Sequence, residues 1–521
     1  MSVLRVLRKG GGGIKYYVKT PQNGGSDSND GLSWNTAFAT FGRAIEAASS
    51  GDEINAAAGT YYENLTIPKK LSLYGGYPAS GGDERNFTNN PTKIDGNETD
   101  SVITIEAQAA IDAFIIANGR AECKDEGDGG GGISVKDTDS VTITNCTIIN
   151  NSSIGAANFS NGGGLYIYNC NDASIIGCTF SGNSAEGYGG GVYLISCDKF
   201  YVSGCTFSEN SASADGGAIR GRRLTVITLK DSSFSGNAAH EGGGICSEGN
   251  IALANCTFSQ NLSQNDGGAV YASGNLEAVD CRFSKNTSNF GAGAVKVLGN
   301  NFTATNCTFS ENTAKFAGGA IDDYRETVSI VTNCAFTKNS ADDSGGAISA
   351  SGNFAVNECT FSKNFSKEGG GAVSNHGTIA ITNCTFTENS TNDDGGAISD
   401  YNNITVNNCT FAENSAKNHG KEIRFTIFTK YAELNNSIIW NNQGKYIDVD
   451  IVFDVEDEKR QLIINNCALK RDAFEDFEAD SNFQNNNPVY IENFASRHQV
   501  SNVTVSSVTT KFFCSMRAIQ P

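Results

Sequence analysis

Apolar and polar residues alternate in short runs along most of this chain, and each run is closed within a few residues by Asn, Asp, Ser or Gly. In "ITNCTFTEN", residues 381–389, the alternation of Ile381 and Asn383 against Thr382, Cys384 and Phe386 reads as a half-buried strand with a period of two. The same sentence returns as "NCTFSEN" at 306, "NCAFTKN" at 333 and "ECTFSKN" at 358. Aligned on the aromatic residue, the copies form a column running from Ile148 and Phe180 through Phe309, Phe336, Phe361, Phe386 and Phe411 to Ile438, most steps being 24 to 27 residues. Asn stands three residues after each, from Asn151 to Asn441, and Cys usually two before. About ten residues later comes Gly-Gly, a small residue and an aliphatic, as in Gly345, Gly346, Ala347 and Ile348.

A unit of this length with two or three short strands cannot bury its apolar side alone; it must stack on a copy of itself. The pattern therefore predicts an all-β fold, a right-handed parallel β-helix in which neighbouring coils lie about 4.8 Å apart. Stacking places Phe on Phe in the core. The Asn side chain is expected to bond the next coil's copy or the local backbone, and the glycine pair to turn the chain tightly. Stacked in register, the Cys column is expected to hold buried, reduced thiols acting as small apolar residues.

Residues 16–105 are written differently. "TFGRAIEAASSGDEI" reads as a short amphipathic helix with Phe41, Ala44, Ile45 and Ala48 on one face, as suits a cap over the exposed end of a solenoid. The expected organisation is a disordered tail over 1–15, a cap and first coils over 16–105, repeats over 106–470 and a C-terminal cap or truncated segment over 471–521. The segment from Met1 to the glycines has too few apolar residues for a secretory signal, and we expect the natural chain to begin upstream of Met1.

Composition narrows the partners. Fifty-nine glycines and only six prolines suit many turns between short strands. A net charge of −19, with 38 Lys+Arg spread thinly, leaves no basic stripe for nucleic acid or anionic membrane, and no apolar run is long enough for a spanning helix. No CxxC or HExxH occurs and the four histidines are scattered, so zinc is not expected.

The pairing of "FSEN"-type and "GGAI"-type motifs once per coil resembles the repeats of the chlamydial polymorphic outer-membrane proteins and of related bacterial surface proteins. The entry segment "SNDGLSWNTAFATFGRAIEAASSGDEINAAAGTYYENLTI" is similar to the start of secreted β-helix proteins of the pectin-lyase-like class. The resemblance covers roughly residues 16–470. It implies a secreted or surface-exposed passenger, associated with an outer membrane and acting in adhesion, although the signal peptide and C-terminal barrel of that family have no counterpart here. The expected function is a non-enzymatic binding scaffold, expected to be a monomer, with a host or neighbouring cell surface or a glycan as partner; the alternative is a polysaccharide lyase or glycoside hydrolase, which shares the fold.

With the aliphatic after Gly-Gly pointing inward, the first and third residues beyond it should face solvent. Those two columns contain Arg222, Glu248, Tyr271, Lys296, Asp322, Tyr324, His376 and Tyr401, a mixture suited to lining a saccharide. No pair of carboxylates recurs at a spacing that assigns acid and base roles. No cofactor is expected, with one exception: Asp343, Glu368 and Asp393 stand two residues ahead of Gly-Gly on consecutive coils, where Ca²⁺ or the nearby Lys338, Lys363 and Lys367 would relieve their repulsion.

Overall fold

The computed structural model describes residues 13–125, 128–155, 160–223, 226–323, 328–426 and 428–440, together with Cys467 and short strands between 447 and 491. Most of the expected tail over 1–15, most of the segment over 471–521, and Tyr324 lie outside the described residues. The chain is an all-β, right-handed parallel β-solenoid of about twelve turns. It divides into two compact units, Met1–Ala252 and Leu253–Pro521.

Among the described residues of the second unit, each coil from Asn255 to Gly420 has three short sides, and three residues with left-handed backbone make its corners. In one coil the first side is Ile398–Asp400 and Asn403–Asn407, the second Thr410–Ala412 and the third Ser415–Ala416. Asn408 (φ 53°) turns the chain between the first and second sides, Glu413 (φ 58°) between the second and third, and Gly420 (φ 60°) returns it to the first. The coil before repeats these corners at Asn383, Glu388 and Gly395. The alternation around "ITNCTF" is thus two strands, not one: Asn383 is a corner, and so Ile381, Cys384 and Phe386 all point inward.

Only one of the two paired glycines is there for its dihedral angles. Gly345 is left-handed (φ 67°), whereas a Cβ on Gly346 would lie 2.2 Å from the carbonyl oxygen of Gly371 on the next coil.

The stacked columns form as the spacing predicts. Phe309, Phe336, Phe361, Phe386 and Phe411 are fully buried, with successive ring centroids 4.6–4.8 Å apart and rings within 5° of parallel. The column continues through Ile439, which pairs with Phe411, and not through Ile438. Two adjacent isoleucines make the sequence ambiguous there, and a slip of one residue exchanges the inner and outer faces.

Beside the rings runs a buried asparagine ladder. The Oδ1 of Asn364 accepts from both the backbone N–H (3.0 Å) and the Nδ2 (3.0 Å) of Asn339, whose Nδ2 also donates to the carbonyl of Phe309 (2.9 Å). Every polar atom of the amide is used, so its burial costs little.

The cysteine column does more than fill space. Its thiols are buried and unbridged. The Sγ of Cys359 accepts from the backbone N–H of Cys334 at 3.3 Å, and where Ser437 takes the position its Oγ accepts from Cys409 N–H at 3.2 Å and donates to the carbonyl of Asn435 at 2.9 Å. The position is a hydrogen-bonding one that either residue satisfies.

The first unit is built in the same way, with Phe180, Phe207 and Phe234 stacked at 4.8–4.9 Å and Asn183 and Asn210 in the ladder. The predicted helix is Phe41–Ala47. Thr40 caps it by accepting from the backbone N–H of Arg43, and Glu63 accepts from the N–H groups of Phe41 and Gly42. Phe41, Ala44, Ile45 and Ala48 are buried, Phe41 packing on Tyr61 and Phe114.

Candidate functional site

The first and third residues beyond the inward aliphatic behave differently. Outward-pointing Arg220, Lys296, Asp322, Ser349, Ser374 and Ser399, all at the first position, are buried. Their cover is the turn just before Gly-Gly. The left-handed glycine folds that turn back over the strand it precedes, which brings Asp215 to 3.8 Å from Arg220 and Asp394 to 3.6 Å from Arg424. The expectation that both columns face solvent therefore holds only for the third position, where Arg222, Glu248 and His376 are exposed and Tyr401 is half-buried. Sequence alternation shows which way a side chain points but not what lies above it.

The predicted residues fall into three places. In the first unit Glu248 bridges Arg220 (3.0 Å) and Arg222 (3.7 Å). Nearby, Asp215, Glu241 and Cys246 bring two carboxylates and a thiol, all of metal-ligating type, within 4.8 Å of one another. Arg220 already supplies a cation beside Asp215, and burial pushes the Cys246 thiol up, which favours its protonated form. In the second unit half-buried Tyr271 pairs in register with Lys296, and Lys296 is ion-paired with Asp322.

The third place is open to solvent. His376 and Tyr401 stack with centroids 4.6 Å apart and rings 10° from parallel, and with Asn402, Phe428 and Lys430 they line a shallow pocket of about 560 Å³. Ser374 Oγ lies 3.2 Å from Nε2 of His376. Desolvation lowers the histidine pKa and raises that of Tyr401, the latter assisted by the carboxylates of Asp393, Asp394 and Asp343. The pocket thus combines aromatic rings, one ammonium and uncharged hydrogen-bonding groups, with carboxylates within electrostatic reach.

Phe428 and Lys430 escaped the sequence reading because they belong to no column. A signal was present: Ile398 precedes Asn403 by five residues, whereas the stacked Ile423 precedes Tyr431 by eight. The three extra residues lengthen one turn, and the insertion carries exposed Phe428 over the stacked pair.

Asp343, Glu368 and Asp393 do form an edge, Glu368 N–H donating to the carbonyl of Asp343 at 2.9 Å. Their carboxylates do not gather within 4.8 Å as a set. Lys367 pairs with Asp342 and Lys363 with Glu388, while Asp393 accepts from Nδ2 of Asn418 at 2.6 Å. The same edge carries Phe290 and Phe316, nearly half exposed and stacked at 4.9 Å.

Comparison with known proteins bears on the fold. The family described as "Right handed beta helix region" matches residues 82–286, 163–334, 249–397 and 303–423 in overlapping segments. No curated protein matches the chain. Among solved structures, a rhamnogalacturonan lyase is similar at 12% identity over 73% of this chain and 82% of its own, with a TM-score of 0.21. No helix among the described residues is long and apolar enough to cross a membrane.

Proposed function

We propose that this chain, which belongs to the right-handed β-helix family, is a non-enzymatic binding scaffold at a cell surface or outside the cell, and that it holds a glycan at His376, Tyr401, Asn402, Phe428 and Lys430. The observation that carries this reading is the pocket itself: an aromatic stack and a protruding Phe428 beside one ammonium, on a framework whose Phe, Asn and Cys columns are committed to packing. Sugar C–H faces pack on aromatic rings, and hydroxyl groups bond to amide, ammonium and carboxylate groups. The resemblance of the two repeated motifs to outer-membrane protein repeats supports the surface setting.

The test is a glycan-array and titration experiment on the full chain with the variants Tyr401→Ala and Phe428→Ala. Each should weaken binding about tenfold or more, roughly 1.4 kcal/mol. Unchanged affinity in both would sink the pocket assignment. Release of unsaturated products or new reducing ends from a bound polysaccharide would instead make the protein a lyase or hydrolase.

A further inference from the structure

The buried pair of Lys296 and Asp322 stands out because its setting differs from every other ion pair described. Lys296 is 7% and Asp322 8% exposed, and the Nζ of Lys296 contacts Oδ2 of Asp322 on the next coil. A second carboxyl approaches from the coil on the other side of Lys296. Asp266 accepts from the backbone N–H of Gly291 at 2.8 Å, and a Cβ on Gly291 would lie 2.9 Å from Oδ1 of Asp266 and 2.6 Å from Oδ2 of Asp322. Both carboxylates thus reach into the space left by the absent side chain. Ser349 hydrogen-bonds the Asp322 carboxyl from the following coil. The exposed edge changes here as well: the residues next to Gly291 and Ala317 are the stacked Phe290 and Phe316, where later coils carry Asp343, Glu368 and Asp393.

Burial raises the Asp322 pKa, which favours the protonated carboxyl. A primary amine is a nucleophile and a protonated carboxyl an electrophile; here two stacked strands hold the two side chains in contact, so the entropic cost of bringing them together is already met by folding.

We propose that Lys296 and Asp322 become joined by an intramolecular isopeptide bond, which the folded chain forms on itself with Asp266 as the proton-handling carboxyl. The Nζ lone pair attacks Cγ of protonated Asp322, and Ser349 stabilises the oxygen of the tetrahedral intermediate. Asp266 accepts a proton from the nitrogen and delivers it to the departing hydroxyl. One N–C bond forms, one C–O bond breaks and one water leaves; nothing is oxidised or reduced. The product is a covalent tie between adjacent coils, placed where a scaffold exposed to proteases or mechanical load gains from it.

Intact-mass measurement of the purified, denatured full chain tests this directly. The expected mass is one water below that of the sequence, and proteolysis should yield a branched peptide linking the segments that carry Lys296 and Asp322. Lys296→Met and Asp322→Ala should each restore the full mass. Asp266→Asn should also restore it while leaving the far-ultraviolet circular dichroism unchanged. A wild-type chain at full mass, or a missing water that maps elsewhere, such as to a succinimide at Asp266–Gly267, overturns the proposal. A bond that persists in Asp266→Asn removes Asp266 from its role.

Discussion

Two faces of each coil obey different rules. On the side of Phe309 and Asn339, neighbouring coils repeat the same residue, and each ring or amide is completed by its copy above and below. On the side beyond Gly-Gly, the stacked positions read Tyr271, Lys296, Asp322, Ser349 and Ser374, with no two of the first four alike. Identity is required where a side chain's partner is itself. Where the partner is the turn folded over it, many residues fit, and chemistry can vary from coil to coil without disturbing the stack.

The largest effect expected from breaking this distinction is in the uniform column. Phe309→Ala removes a ring held between Phe283 and Phe336 and should cost roughly 3–5 kcal/mol by denaturant unfolding, because the strands on either side cannot collapse into the cavity. A loss below about 1 kcal/mol would show that the column is not the core.

Next comes a buried carboxyl on the varied side. Asp400 accepts from Nδ2 of Asn375 at 2.5 Å, and its other oxygen is buried without a donor among the described residues. Burial raises its pKa to about 6, as it does that of Asp323. A carboxyl that binds its proton more tightly when folded adds stability at a pH below its unfolded value of about 4, and that contribution is lost as the pH rises to about 6. Asp400→Asn should therefore raise stability at pH 7.5 by about 1–3 kcal/mol and flatten the decline between roughly pH 4 and 6. An unchanged pH profile would mean that the carboxyl is solvated.

A smaller effect is expected at the corners. Lys363 is left-handed (φ 57°), and its pairing with Glu388 at 3.5 Å is exposed. Lys363→Gly relieves the backbone while freeing the unfolded chain, for a net gain of under about 1 kcal/mol. Destabilisation would show that the ion pair outweighs the strain. Smallest of all is the response of the acidic edge: with its carboxylates apart and partly paired, millimolar Ca²⁺ should leave the melting temperature nearly unchanged. A clear rise that disappears in the triple variant Asp343→Asn, Glu368→Gln, Asp393→Asn would establish a Ca²⁺ site there.

Much of this was legible beforehand. A period of about 25 residues with in-phase Phe, Asn and Gly-Gly suffices for a stacked parallel solenoid, because no other fold lets so short a unit complete its own core. The N-terminal helix was equally readable from Phe41, Ala44 and Ile45, since its apolar face is a local feature.

What the sequence left open was decided by contacts between coils and by backbone that departs from the strand period. Asn383 as a corner sends Ile381 and Cys384 to the same side, which a period of two cannot express. The turn before Gly-Gly covers Lys296 and Asp322, turning apparent surface residues into a buried pair, and a three-residue insertion sets Phe428 over His376 and Tyr401. Repetition along the chain determines which residues stack; only the folded path of the turns determines which of them remain in reach of solvent.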